Sequence, residues 1–283
     1  MPGKSLREQL REGRFVVAPG VYDGISALVA DRGDFGALYL SGYAVSASLL
    51  GRPDAGYLTL THLADRVRMV CSVSDKPLIA DADTGFGGLV HVEEAVRCYE
   101  RAGAQAIQLE DQEFPKRCGH TKDRRVIDRD EAALKIRVAV ESRDSGDFLI
   151  VARTDARTSL GLDECFRRTD TFLEAGADIL FIESPESLEE MRAIAERYPD
   201  IWLLANLVDG GRTPLATADA LEELGFNLAI YPLFGLSATV PGLEEAYGQL
   251  ENTGQVPPGA YPFDELNRLV GFEHIWDLDS RER

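Results

Sequence analysis

Eight short runs rich in β-branched and aliphatic residues recur along the chain, and the segments between them are long enough for a helix. The runs are Phe15–Val21, Ala37–Gly42, Pro77–Asp83, Ala106–Asp111, Leu149–Ala156, Asp178–Glu183, Trp202–Val208 and Leu228–Leu233. Between them, segments such as His91–Ala102, Arg129–Arg143, Leu162–Ala175 and Ser187–Tyr198 carry apolar residues at helical spacing. Parallel strands need a crossover of about this length, so a strand–helix unit repeated eight times predicts a (β/α)8 (TIM) barrel of the α/β class. The 283 residues, 45% of them hydrophobic, suit one such barrel, and residues 1–283 are expected to form a single barrel domain. Glycine marks the junctions, as in Arg101-Ala102-Gly103-Ala104 and Glu174-Ala175-Gly176-Ala177, where a left-handed helix cap turns the chain into the next strand. Residues 252–262 contain three prolines and two glycines and read as a linker. Beyond it, residues 263–283 form a C-terminal extension, with one or two helices expected over Phe263–Leu278.

The chain carries 48 acidic against 30 basic residues, a formal net charge of -18, which repels phosphate backbones and anionic lipid surfaces. Nucleic acid and membrane are therefore excluded as partners. The longest apolar runs are strand-sized, and the first residues carry no hydrophobic leader, so a soluble cytoplasmic protein is expected. Four cysteines, Cys71, Cys98, Cys118 and Cys165, lie far apart without a CxxC pair, which argues against a zinc cluster or disulfide framework.

Barrels of this kind build their active sites at the C-terminal ends of the strands. The third run ends Asp81-Ala82-Asp83-Thr84-Gly85, and strand periodicity is expected to put Asp81 and Asp83 on one side. Glu110 and Asp111 end the fourth run, and Asp54 follows the second. Clustered carboxylates with few histidines suit a hard cation, Mg2+ or Mn2+, better than zinc. The alternative is that these acids cap helices or pair with Arg153 and Lys116.

The segment from Glu113 to Arg125 is charged, contains Gly119 and has the composition of a lid over the barrel mouth. Within it, Lys116, Arg117 and His120 would lower the pKa of the Cys118 thiol and favour proton transfer near neutral pH. Arg153 ends the fifth run, where it is placed either to grip a substrate carboxylate with two hydrogen bonds or to pair with Asp81 or Glu183. Glu183 ends the sixth run, and Asn206 through Pro214 end the seventh with an amide, a hydroxyl and glycine backbone suited to a carboxylate.

Lys116-Arg117-Cys118-Gly119-His120 resembles the flap signature of the isocitrate lyase and methylisocitrate lyase family, within the phosphoenolpyruvate mutase superfamily. Leu40-Ser41-Gly42-Tyr43, Leu50-Gly51-Arg52-Pro53-Asp54, Asp81-Ala82-Asp83-Thr84-Gly85, Leu109-Glu110-Asp111-Gln112, Ala152-Arg153-Thr154-Asp155-Ala156 and Ala205 to Pro214 occur in the family's order. The resemblance spans roughly Phe15 to Pro232. Tyr43-Ala44-Val45-Ser46-Ala47-Ser48 and the Gly210-Gly211 turn are more similar to the 2,3-dimethylmalate lyase and petal death protein group than to methylisocitrate lyases. Phosphonomutases usually carry Asn-Ser where this chain has its flap cysteine.

This resemblance implies that Asp81 and Asp83 bind Mg2+, with Mn2+ as the alternative, and that Asp54 and Glu110 hold metal-bound water. It implies substrate contacts at Ser41, Gly42, Tyr43, Arg153, Glu183, Asn206 and Thr213. Cys118 becomes the acid that protonates an enolate, assisted by Lys116 and His120, and Tyr39 stands where the family has a candidate base. The activity implied is cleavage of a 2-hydroxy-dicarboxylate, of the 2-alkylmalate, 2,3-dimethylmalate or 2-methylisocitrate type, into a 2-oxo acid and a carboxylic acid. Oxaloacetate hydrolysis or decarboxylation, and phosphonopyruvate or carboxyphosphonoenolpyruvate chemistry, are the alternatives. The partner implied is a second, third and fourth copy of the chain, in a homotetramer of dimers that exchange C-terminal helices.

Overall fold

The computed structural model describes residues 3–119, 121, 124–256 and 259–281. Eight parallel strands close into a barrel in sequence order, with β1 pairing β8. The strands are β1 Val16–Val21, β2 Leu38–Leu40, β3 Leu78–Asp81, β4 Ala106–Glu110, β5 Leu149–Thr154, β6 Ile179–Ile182, β7 Trp202–Asn206 and β8 Leu228–Tyr231. The helices are α1 Leu6–Arg11, α2 Gly24–Asp31, α3 Gly42–Val45, α4 Leu60–Val73, α5 Leu89–Ala102, α6 Arg129–Ser142 and α7 Arg157–Leu160, then α8 Leu162–Glu174, α9 Leu188–Arg197, α10 Ala218–Leu224, α11 Phe234–Thr253, α12 Phe263–Leu269 and α13 Phe272–Arg281. Each expected strand is found where the hydrophobic pattern puts it, and the expected (β/α)8 barrel is the observed fold.

Two apolar shells hold it together. Val16, Ile79, Leu149, Val151, Phe181 and Leu228 belong to the cluster inside the barrel, while the outer faces of the strands pack against the helices through residues such as Leu38, Ile107, Ile150, Phe172 and Leu180. Helix α1 adds Leu6 and Leu10 to the inner cluster. Its start is fixed by a capping box in which Ser5 and Glu8 satisfy each other's backbone N–H groups. Gln105 accepts from the Leu6 backbone N–H at 2.7 Å and ties that helix to the start of β4.

Most strands stop one or two residues short of the sequence reading at their C-terminal ends, and β1, β2, β3 and β6 begin one residue late. β2 ends at Leu40 because Ser41 leaves the ladder to cap α3, accepting from the Ala44 N–H at 3.2 Å. β3 ends at Asp81 because Asp83 turns into the left-handed region, with φ +48°. Gly103 and Gly176 of the two Ala-Gly-Ala junctions are left-handed as expected, at φ +103° and +96°, and Gly225 ends α10 in the same way at φ +102°.

The C-terminal third differs from its expectation in one respect. Helix α11 continues to Thr253, so the interruption begins at Gly254 and not at Asn252; Pro257 and Pro258 of the expected linker lie outside the described residues. The extension contains two helices, α12 and α13. The described side chains of α11 include none that is buried, and Val240, Leu243, Tyr247 and Leu250 are exposed along it, as are Phe263, Leu266, Phe272, Ile275 and Trp276 beyond it. No helix among the described residues is long and apolar enough to cross a membrane.

Candidate active site

Barrel register places the charged residues. Glu110 at the end of β4 lies beside Arg153 of β5, and the β3–β4 ladder sets Asp81 beside Gln108. A cavity of about 40 Å³ opens at this end, lined by Tyr39, Ser41, Tyr43, Asp54, Asp81, Lys116, Cys118, Gly119, Arg153, Glu183 and Asn206, with Val208, Ile230, Pro232 and Leu233 on an apolar side. Gly42, Asp83, Glu110 and Thr213 stand outside this lining, as immediate supports of it or beyond it, and His120 lies outside the described residues.

Asp81 is held from several directions. Its Oδ1 accepts from the Asp83 N–H at 3.0 Å and its Oδ2 from the Gly42 N–H at 3.2 Å. Behind it, Gln108 Nε2 approaches Oδ1 at 3.4 Å while Gln108 Oε1 accepts from the Tyr39 hydroxyl at 2.9 Å. Asp81 and Asp83 do converge, as the sequence suggests, but through the turn at Asp83 and not by strand alternation. An added Cβ on Gly42 would stand 2.8 Å from Asp81 Oδ2 and in ordinary contact with Asp83 Oδ1 at 3.4 Å, so glycine is what leaves the Asp81 carboxylate in place.

The flap lies over this cradle. Lys116 Nζ is 2.7 Å from Asp54 Oδ1 and 2.6 Å from Asp83 Oδ1, with all three side chains nearly buried. The Cys118 N–H donates to the Asp54 carbonyl at 3.2 Å. Gln112 fastens the near end, donating to Glu110 at 2.9 Å and to the Arg117 carbonyl at 2.8 Å and accepting from the Arg117 N–H at 3.1 Å. Ser184, itself in the left-handed region, donates to the Gly119 carbonyl at 3.0 Å.

Electrostatics here are dominated by burial. Desolvation pushes the Asp83 carboxyl up to about 7, with Lys116 opposing and Asp81 and Asp54 adding to the rise. Glu110 is likewise raised well above the carboxylate range by burial, against the pull of Arg153 and Lys116. Burial alone would discharge Lys116, but Asp83, Asp54, Glu110 and Asp81 hold its ammonium firmly charged. Tyr39 is raised well above its usual range by burial and by Asp81. With its hydroxyl donated to Gln108, Tyr39 is poorly suited to the base role that the resemblance implies.

Arg153 stacks over Phe181 at 5.0 Å and reaches Asp155, Glu183 and Glu110 at 2.9, 3.2 and 3.5 Å. The ion-pair reading left open by the sequence is thus realised at Arg153 and at Lys116. Sequence reasoning gave no role to Gln108, Gln112, Ser184 or the apolar lining of the cavity. Gln108 carries a usable signal, since a fully buried amide inside β4 has to find partners. Val208, Ile230, Pro232 and Leu233 carry none, because aliphatic residues at strand ends also read as core.

The donor set suits a divalent cation: Asp54, Asp81, Asp83 and Glu110 offer only oxygen, and their negative charge is gathered around one ammonium. Among the described residues no three acidic, histidine or cysteine side chains enclose an ion as they stand, because Lys116 lies between Asp54 and Asp83. We read the arrangement as fitting on its chemistry, with Lys116 supplying the cationic charge between those two acids.

The model of the phosphoenolpyruvate phosphomutase family matches residues 6–250. The chain belongs to that family. It is 46% identical over 277 residues to the 2,3-dimethylmalate lyase of Eubacterium barkeri, covering 97% of this chain and 96% of that one. The 2-methylisocitrate lyase of Aeropyrum pernix is 42% identical over 284 residues, covering 99% and 90%. The crystal structure of a phosphonopyruvate hydrolase in complex with oxalate and Mg2+ superposes with a TM-score of 0.87 at 32% identity, covering 98% and 97%. Membership in this family, beside relatives that are lyases, makes the chain a carbon–carbon lyase of the phosphoenolpyruvate mutase/isocitrate lyase superfamily. For this family member, Gly42→Ala should drive a methyl group against the Asp81 carboxylate without straining the backbone. If a divalent cation sits on Asp81, the Mg2+ concentration giving half-maximal rate should rise by about tenfold or more, equivalent to ~1.4 kcal/mol; an unchanged Mg2+ dependence would place the ion away from Asp81.

Proposed function

We propose that the chain is a divalent-metal-dependent lyase that cleaves a 2-alkylmalate, with 2,3-dimethylmalate as the model substrate, into a 2-oxo acid and a carboxylic acid. One observation carries the substrate class: a cavity lined both by groups that can bind a carboxylate, Arg153, Asn206 and Ser41, and by the apolar side chains of Val208, Ile230, Pro232 and Leu233. An alkyl group finds apolar neighbours there, whereas the third carboxylate of 2-methylisocitrate adds a charge that such neighbours cannot solvate. The 2,3-dimethylmalate lyase relative supports the same choice.

Asp81 and Asp83 would bind the cation, Mg2+ or Mn2+, with Asp54 and Glu110 placed to hold its water. When bound, it supplies positive charge to the 2-hydroxy-carboxylate end of the substrate. Arg153 grips that carboxylate and Glu183 holds the guanidinium, while Ser41 and Asn206 of the lining contribute donors around it; the Gly42 N–H instead holds Asp81, and Thr213 stands outside the lining. A carboxylate of the lining, Asp54, Asp81 or Glu183, accepts the hydroxyl proton. The C2–C3 bond then breaks, its electron pair passing to C3 as the carbonyl forms at C2. The released enolate is the high-energy species, so donors must be in place where its charge develops. Lys116 remains charged beside it, and Cys118 on the flap delivers the proton to carbon, with His120 assigned to the same proton transfer. For 2,3-dimethylmalate the products are pyruvate and propionate.

Wild-type enzyme with Mg2+ should release a 2-oxo acid from 2,3-dimethylmalate faster than it processes 2-methylisocitrate, oxaloacetate or phosphonopyruvate. Faster turnover of any of those three contradicts the assignment. Replacing Cys118 by serine keeps the group's size but removes its acidity, so kcat should fall about 10²–10⁴-fold with little change in KM. A change confined to KM would make Cys118 a binding residue.

The exposed apolar residues from Val240 to Trp276 support assembly into a homotetramer whose C-terminal helices pack on neighbouring barrels. Truncation after Gly254 should yield monomer or aggregate by light scattering. A stable tetramer after that cut places the interface elsewhere.

A further inference from the structure

The charged groups around Arg153 do more than neutralise it. Its Nε and Nη2 donate to the two carboxylate oxygens of Asp155 at 2.9 and 3.0 Å. Asp155 is fully buried, and its backbone N–H is pinned to Asp111 Oδ1 at 2.9 Å. Asp111 in turn accepts from Thr154 at 2.7 Å and from Arg168 of α8 at 3.0 Å. Asp155 Oδ1 receives one more donor: Arg124, at the far root of the flap, places its buried guanidinium between Asp155 and the hydroxyl of Thr158 on α7. The same Arg153 is touched from above by the flap backbone at Gly119, where an added Cβ would stand 2.7 Å from Glu183 Oε2 and closer still to Arg153 Nη2.

From this geometry we infer that Arg124 is a positioning residue, which locks the root of the flap to Asp155 and through it sets the guanidinium of Arg153 in the pose that receives a substrate carboxylate. The inference rests on the proposed lyase reading only for the identity of that carboxylate. A guanidinium is required because one group must meet Asp155 and Thr158 together, which a lysine ammonium cannot do in the same fork geometry. A pair serving stability alone would need no connection to Arg153. Here a single carboxylate is shared between the flap root and the ligand-facing arginine, so loosening one frees the other.

The test compares wild type, Arg124→Lys, Arg124→Gln and Thr158→Ala by melting temperature, by KM and kcat on 2,3-dimethylmalate, and by alkylation of Cys118 with iodoacetamide read by peptide mass spectrometry. Burial pushes the Cys71 thiol up to about 11 and the Cys165 thiol higher still, so both serve as slow internal references. Without substrate, Arg124→Gln should alkylate at Cys118 about tenfold or more faster than wild type, and Thr158→Ala should lie between them. KM should rise by a similar factor with a smaller change in kcat, and Arg124→Lys should recover part of each effect. A folded Arg124→Gln with wild-type Cys118 reactivity and KM overturns the inference. Should Arg124→Gln fail to fold, the same null result in Thr158→Ala and Arg124→Lys overturns it. A wild type inert toward 2,3-dimethylmalate contradicts the substrate assignment instead, and the alkylation rates still decide the role of Arg124.

Discussion

Lys116 lies 2.7 Å from Asp54 and 2.6 Å from Asp83, all but removed from solvent, and the end of the barrel is organised by the balance those charges must strike. A buried ion left without its partner costs roughly 3–5 kcal/mol. Asp54, Asp81, Asp83, Glu110 and Glu183 therefore keep their charge at this end of the barrel only where cations come with them. Arg153 is supplied by the barrel itself, Lys116 by the flap. The flap is thus part of the charge balance of the site and not only its cover. A dicarboxylate bound in the cavity beneath the flap replaces interactions that the resting side chains make with one another.

Support for this balance is layered. Gln108 joins Asp81 to Tyr39, Gln112 joins Glu110 to the flap, and Ser184 joins Glu183 to the flap backbone. The left-handed backbone at Asp83 and Ser184 lies at the ends of β3 and β6, inside this network. Such conformations persist where surrounding contacts outweigh their cost of about 1–3 kcal/mol, and they gather where side chains must be aimed.

Much of this was legible in the sequence. Strand ends announce themselves by the switch from β-branched to acidic residues, so Asp81, Glu110, Arg153 and Glu183 could be placed at one end of a barrel from pattern alone. The convergence of Asp81 with Asp83 was right in outcome but not in cause, since strand alternation cannot reveal a left-handed turn at a non-glycine residue. Arg124 and Asp155 stand in the quoted segments, yet nothing in their spacing says that a flap root and a strand end share one carboxylate. Such contacts join residues 31 apart, and only the closed barrel brings them together. The apolar C-terminal surface was legible from Phe263 onward but begins earlier, because the exposed residues of α11 look like core in one dimension.

The central claim is that the acidic cradle exists to hold a divalent cation, and calorimetric titration of metal-free protein with Mg2+ measures it directly. The account predicts one ion bound per chain and loss of that binding in Asp81→Ala with the barrel still folded by circular dichroism. Wild-type protein that binds no Mg2+, or an Asp81→Ala variant that binds it as tightly as wild type, would contradict it.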